Sequence, residues 1–194
     1  MDYSKNIKAY IAKEIEVLNM LDIDTINLAI NEIVAAFERE GNIYIFGNGG
    51  SAATASHFAN DFNKGISEYT KKKFRFICLN DNVPTVMAVA NDISYDEVFR
   101  FQLLGKLKQE DLVIGISGSG NSKNVVNAIE YAKQEGIRTL GITGFNGGKV
   151  KQIVDVSLHV PINNMQITED IHMVFDHMIM TVLYQAWNLL AIKF

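Results

Sequence analysis

Cysteine is nearly absent from this sequence: Cys78 is the only one among 194 residues, so there is no disulfide framework of the kind that staples small secreted domains. Cys78 lies in the strand-like run Phe74-Arg75-Phe76-Ile77-Cys78, where a small buried hydrophobe is expected. Proline is scarce, with Pro84 and Pro161 alone, and no repeat, low-complexity segment or linker divides the chain. Basic charge is in slight deficit, 18 Lys and Arg against 22 Asp and Glu for a net charge of -4. Without a clustered basic face, the chain lacks the electrostatic footprint for binding phosphate backbones, and nucleic acid is not an expected ligand. The run Lys71-Lys72-Lys73 follows Glu68 and reads as a solvated loop. The N-terminus has no continuous apolar stretch of the signal-peptide kind, so a cytoplasmic protein is expected. The longest apolar segment, Met173 to Phe194, is interrupted by Asp176, His177, Gln185 and Asn188. It reads as a helix buried between packed elements or subunits, not as a membrane span.

What is present is a good core: 48% of residues are hydrophobic, which fits one compact domain over residues 1–194. Apolar residues at Ile7, Tyr10, Ile11, Ile15, Leu18 and Leu21, then at Ile26, Leu28, Ile33, Val34 and Phe37, repeat with helical spacing on either side of Asp22 to Thr25. Residues 1–40 therefore read as a helical hairpin. From residue 41 onward three units share one rhythm of apolar strand, polar turn and helix: Ile43 to Phe46 before Gly47 to Ser51, Leu112 to Ile116 before Ser117 to Ser122, and Thr139 to Ile142 before Thr143 to Gly148. Phe74 to Cys78 and Val156 to Val160 add two strands. Continuous apolar runs suit strands covered on both faces of a parallel sheet, so residues 41–194 read as a doubly wound, five-stranded α/β sandwich with a C-terminal helix. Ligands of such sheets sit at the carboxyl ends of the strands, where these turns fall.

Gly47-Asn48-Gly49-Gly50-Ser51-Ala52 follows a strand and opens a helix, where free N–H groups and the helix dipole favour an anion. The same pattern fits a strand–helix turn that binds nothing, or a dinucleotide fingerprint. Ser117-Gly118-Ser119-Gly120-Asn121-Ser122 is a second such turn with three hydroxyls; capping one helix would need only one of them. Two such turns argue against a nicotinamide enzyme, which needs one pyrophosphate loop and an acid about 20 residues later, a position that falls at Tyr69. A serine-lined pocket suits one terminal phosphate monoester.

These turns, together with Ser56-His57-Phe58-Ala59, Ala90-Asn91-Asp92 and Asp170-Ile171-His172 with His177, resemble the sugar isomerase (SIS) family over almost the whole chain. The histidines narrow the likeness to its phosphoheptose isomerase branch. The resemblance implies an aldose–ketose isomerase that converts sedoheptulose 7-phosphate to D-glycero-D-manno-heptose 7-phosphate. It also implies a homotetramer with sites at subunit interfaces and one zinc ion per subunit. Carried over by position, the metal ligands are His57, Asp61, Glu169 and His177, with Asp61 as base and His177 as its partner acid. Substrate and phosphate contacts fall on Asn48, Gly49, Gly50, Ser51, Asp61, Asn91, Asp92, Ser117, Gly118, Ser119, Ser122 and Glu169. The spacing agrees: His57 and Asp61 are four apart on one helix face, and Glu169 and His177, eight apart, differ by about 80° around the axis. His172 is read as a supporting or capping group.

The chain departs from the family pattern at four places. Asp61 replaces a glutamate, withdrawing the carboxylate by about 1.5 Å, one C–C bond. Glu169 replaces a glutamine, which puts a second carboxylate against the ion, tightening it and lowering its Lewis acidity. Gly118 stands for a threonine and Gly65 for an arginine, with Lys64 beside it. The rival expectation is a non-catalytic SIS scaffold or phosphosugar sensor, resembling the protein that associates with the bacterial replication initiator. Such a protein would be expected to lack the acid and histidine set, and Asp61, His57 and His177 are all in place.

Overall fold

In the computed structural model, which describes residues 1–189, the chain opens with two helices, α1 (Ser4–Leu18) and α2 (Ile23–Glu38). Asp22 ends the turn between them by accepting the Thr25 N–H at 3.2 Å, a side-chain cap for the start of α2. α1 buries only Val17 and leaves Ile7, Tyr10, Ile11 and Ile15 exposed.

Next come β1 (Ile43–Gly47) and α3 (Gly50–Asn60), which runs on into a π-helical turn (Asp61–Gly65) and a 3-10 turn (Ile66–Tyr69). β2 (Phe76–Cys78), α4 (Val83–Asp92), a 3-10 turn (Tyr95–Glu97) and α5 (Arg100–Leu103) lead to β3 (Leu112–Ser117) and α6 (Lys123–Gln134). β4 (Arg138–Thr143), α7 (Gly148–Ile153), β5 (Val156–His159) and α8 (Met165–Ala186) complete the described chain.

The five strands pair in parallel in the order β2-β1-β3-β4-β5. Every residue of β1 and β3 is buried, which is why their sequences show no alternation. One core lies on the side of α2, α3 and α8 and takes Ile43, Ile45, Leu112, Ile114 and Ile142 from the sheet. The other lies under α4 to α7 and takes Tyr44, Phe46 and Val113. β2 is shorter than the sequence predicts, because the Phe74 N–H is taken by Ser67 Oγ at 2.9 Å rather than by a ladder. Strand order reverses between β1 and β3, and the carboxyl ends of these two strands are where a doubly wound sheet leaves its crevice. α8 has buried and exposed faces along its 22 residues, and among the described residues no helix is long and apolar enough to cross a membrane. The last five positions of the predicted apolar segment lie outside the described residues.

His172 is fully buried on α8 and makes no hydrogen bond through either ring nitrogen, so it belongs to the core rather than to a cap. Burial pushes its pKa down to about 4 from the ordinary 6.5. Between those values the unfolded chain binds the proton and the folded one does not. The stability from the neutral imidazole is therefore whole above about pH 6.5 and is lost as pH falls toward 4, by about 3 kcal/mol. His172→Leu should flatten this part of the acid sensitivity. Urea unfolding at pH 7 and pH 4 checks it: an unaltered pH slope in the variant would remove His172 as the source.

Candidate active site

The turn after β1 is built from glycine. Gly49 has φ 56° and ψ -122°, a conformation that a Cβ makes costly, and it directs the chain into α3. Asn80 holds Gly47 from both sides, accepting its N–H at 3.2 Å and donating to its carbonyl at 2.8 Å. Across the crevice, Gly120 has φ +68°, and a Cβ there would strike the Gly147 carbonyl. Where the family has a threonine, a Cβ on Gly118 would stand 2.7 Å from Met165 Sδ: a thioether covers the place of the missing hydroxyl.

Side-chain caps begin α2, α4 and α8, at Asp22, Asn82 and Asn164. None begins α3 or α6, nor the outlying α1, α5 and α7. Ser122 is the N-cap residue of α6, but its hydroxyl is engaged with Ser117 Oγ at 3.2 Å. The starts of both helices thus face, without a side-chain cap, a pocket lined by Asn48, Ser51, Ser117, Gly118, Ser119, Ser122, Met165 and Glu169. The leading N–H groups of α3 and α6, among which Val125 N–H is already taken by Asn124 Oδ1 at 2.9 Å, the positive dipole ends and four serine hydroxyls form a receptor for an anion. Asn48 is set in place by a reciprocal amide pair with Asn124 at 2.9 and 3.0 Å and by the Tyr95 hydroxyl at 2.8 Å.

A second group gathers between the far part of α3 and α8. His57 Nε2 is 3.4 Å from Asp61 Oδ2, 3.1 Å from His177 Nε2 and 3.9 Å from Asp176 Oδ2, and His177 Nε2 is 3.9 Å from Asp61 Oδ2. One potential ligand atom from each of the four lies within 4.8 Å of all the others. Asp61 opens the π-helical turn, a device that re-aims side chains at functional sites, and its shortened carboxylate still reaches His57. The Asp176 side chain is 0% exposed, and neither of its oxygens has a hydrogen-bond partner. Burial pushes its pKa up to about 8, with the charge of Asp61 adding. Two imidazoles and two carboxylates suit zinc or a similar divalent ion, and a buried carboxylate with no partner is the feature such an ion would satisfy.

Glu169 lies with the expected substrate contacts but apart from the expected ligand group, and Asn91 and Asp92 lie apart from both. Glu169 does not join His57, Asp61 and His177: its carboxylate lies over Gly50, where a Cβ would overlap it, and lines the serine pocket. The positive end of α3 accounts for that position. Asn91 and Asp92 are exposed at the end of α4, bonded to each other at 2.7 Å, and do not line the serine pocket. Sequence reasoning noticed Asp176 only as a break in an apolar run; an acid beside a histidine in that run was the available signal. Asn124 and Tyr95 gave no signal, since neither belongs to a motif.

The sheet order and the two turns at its switch point define a doubly wound α/β domain with an anion-type pocket in its crevice. The chain belongs to the SIS domain family, whose model matches residues 2–144. Within that family it is similar to phosphoheptose isomerases. It is 38% identical to the phosphoheptose isomerase of Helicobacter pylori (strain P12) over 151 residues, 78% of each chain. It is 39% identical to a probable phosphoheptose isomerase of Thermoplasma acidophilum over 159 residues, 82% of this chain and 87% of that one. Phosphoheptose isomerase GmhA from Neisseria gonorrhoeae superposes with a TM-score of 0.86 at 26% identity, over 95% of this chain and 100% of that one.

Proposed function

We propose that this protein is an aldose–ketose isomerase that converts sedoheptulose 7-phosphate to D-glycero-D-manno-heptose 7-phosphate, working in the cytoplasm as a homotetramer with a divalent ion, zinc by resemblance. The observation that carries the reading is the pairing of an uncapped anion pocket with a His57–Asp61–His177 group along the same two helices. Their separation favours a long sugar. Glu169 lines the pocket and His177 joins the group, and eight residues of α8 span about 12 Å. An extended seven-carbon sugar phosphate reaches about 10 Å from phosphorus to C1 at about 1.5 Å per bond, with zigzag shortening, and a triose phosphate about half that.

The phosphate is held by Ser117, Ser119, Ser122 and the leading N–H groups of α3 and α6, through charge-assisted bonds worth about 1.5 to 3 kcal/mol each. Gly49 and Gly50 let the backbone come close, and Asn48 and Ser51 border the sugar. Asp61 takes a proton from C1 of the ketose, leaving an enediolate, and returns it at C2. His177 moves a proton between the two adjacent oxygens. A divalent ion held by His57, Asp61 and His177 would supply Lewis-acid stabilisation of negative charge on those oxygens. The exposed apolar residues of α1 and α8 suit burial against other subunits, and the lone buried thiol of Cys78 suits a reducing compartment.

Incubating the purified protein with sedoheptulose 7-phosphate, with and without chelator, and following the aldose phosphate tests this. Turnover that a chelator abolishes and added zinc restores is the expected result. Thermal stabilisation by the phosphosugar with no turnover would sink the enzyme reading in favour of a sensor or scaffold.

A further inference from the structure

We propose that Asp176 is a ligand of the divalent ion, taking the fourth place beside His57, Asp61 and His177, and that Glu169 belongs instead to the phosphosugar pocket. This rests on the reading that the His57–Asp61–His177 group holds an ion. The register of two helices carries it. Glu169 lies against Gly50 at the start of α3, and Asp176 lies against His57. Each pair member is seven residues further along its helix than the one before, 50 to 57 on α3 and 169 to 176 on α8. α3 and α8 thus keep step over two turns, and the two acids occupy one face of α8 about 10 Å apart along its axis. Glu169 therefore stands level with the anion pocket, whereas Asp176 stands level with the histidines.

The donor geometry fits. With bonds of about 2.0 to 2.1 Å, neighbouring ligand atoms of a tetrahedral zinc are about 3.3 Å apart. The separations from His57 Nε2 to its three neighbours are 3.1, 3.4 and 3.9 Å. Asp176 is fully enclosed and its oxygens meet no hydrogen-bond donor. A side chain of that kind is expensive to bury for structural reasons alone, since an apolar residue would fill the same helix position at no such cost. Charge agrees as well: Asp61 and Asp176 together neutralise a divalent ion.

The test uses full-length protein stripped of metal and titrated with Zn2+ and with Co2+, in the wild type and in Asp176→Asn, Asp176→Leu, Glu169→Gln and His57→Ala. Bound metal is measured after dialysis, and the visible spectrum of the cobalt form reports the ligand set. Asp176→Asn and Asp176→Leu should each weaken metal binding by at least 10- to 100-fold, the range seen when even supporting groups of metal sites are lost, and should change the cobalt spectrum. Metal-free Asp176→Leu should melt no lower than the metal-free wild type, which separates ligand loss from misfolding. Glu169→Gln should keep wild-type metal content and spectrum. Wild-type metal affinity and spectrum in both Asp176 variants, with metal lost in His57→Ala, would overturn the assignment of Asp176 alone. Loss of metal in Glu169→Gln with retention in Asp176→Asn would return the fourth place to Glu169. A wild type that binds no metal, or a His57→Ala variant that binds it unchanged, would overturn the reading of the whole cluster and this inference with it.

Discussion

Asp61→Asn should lower kcat on sedoheptulose 7-phosphate by about 10²- to 10⁴-fold, the range that a positioned general base contributes. Asparagine keeps the volume of the side chain and one oxygen toward His57 but cannot accept the C1 proton. KM should move less than kcat, because the phosphate is held some turns away by the serine loop and the loss is confined to the transition state. Asp61→Ala removes the oxygen as well and should lose metal along with turnover. Metal content measured beside the kinetics separates the two roles: a metal-replete Asp61→Asn enzyme with kcat within tenfold of wild type would sink Asp61 as base. The side chain is only 15% exposed and sits 3.4 Å from His57. A substrate carbon presented between the pocket and this group would meet a carboxylate held on a rigid helix turn.

Gly120→Ala should be the most damaging small change in the anion pocket. The residue has φ +68°, which costs a side chain about 1 to 2 kcal/mol. The added Cβ would also meet the Gly147 carbonyl and come within 2.9 Å of the Gly148 nitrogen. Those are backbone atoms, which cannot rotate away. The Gly120 carbonyl moreover accepts from Val150 N–H at 2.9 Å, so a shift of this turn loosens the start of α7 too. About 3 kcal/mol in all is expected, or roughly 6 to 12 °C in Tm for a chain of this size, together with phosphosugar affinity reduced more than tenfold, since Ser119 and Ser122 flank the turn. Gly105→Ala is the control. It has φ +67° with nothing within 4 Å of its Cβ, so it should cost about 1 kcal/mol of strain and leave binding unchanged. Thermal melts and calorimetric titration of both variants decide it: equal behaviour would mean that the Gly120–Gly147 contact does not shape the pocket.

Much of the site was readable from spacing. The turns Gly47 to Ser51 and Ser117 to Ser122 lie where apolar strands end and helices begin, and in the structure both sit at the reversal between β1 and β3. His57 and Asp61 share a face because four residues are nearly one helical turn, and they meet at 3.4 Å. Position-by-position likeness gave Glu169 two places, the ion and the substrate pocket, and could not choose between them. A residue aligned to a ligand position carries its backbone there, but its carboxylate goes where the local field is favourable, toward the start of α3. Asp176 was hidden for the opposite reason. Inside Val174-Phe175-Asp176-His177-Met178 it reads as an interruption of a greasy helix, and only the neighbouring helix shows what it faces.

Local pattern was sufficient for the parallel sheet, the helical hairpin and the two phosphate-type turns, because each depends on periodicity or on backbone conformations open to glycine within a few residues. The contacts across long separations were a matter for the tertiary structure: His57 against His177, Asn48 against Asn124, Glu169 over Gly50 and Asp176 beneath the histidines. The Asn48–Asn124 pair depends on the pairing of β1 with β3, and the other three on the register at which α3 and α8 lie together against the sheet, set by how Phe58, Phe62, Ile171, Phe175 and Ile179 fill one shared core. Close packing transmits that register over two helical turns, and no stretch of sequence near any one of these residues encodes it.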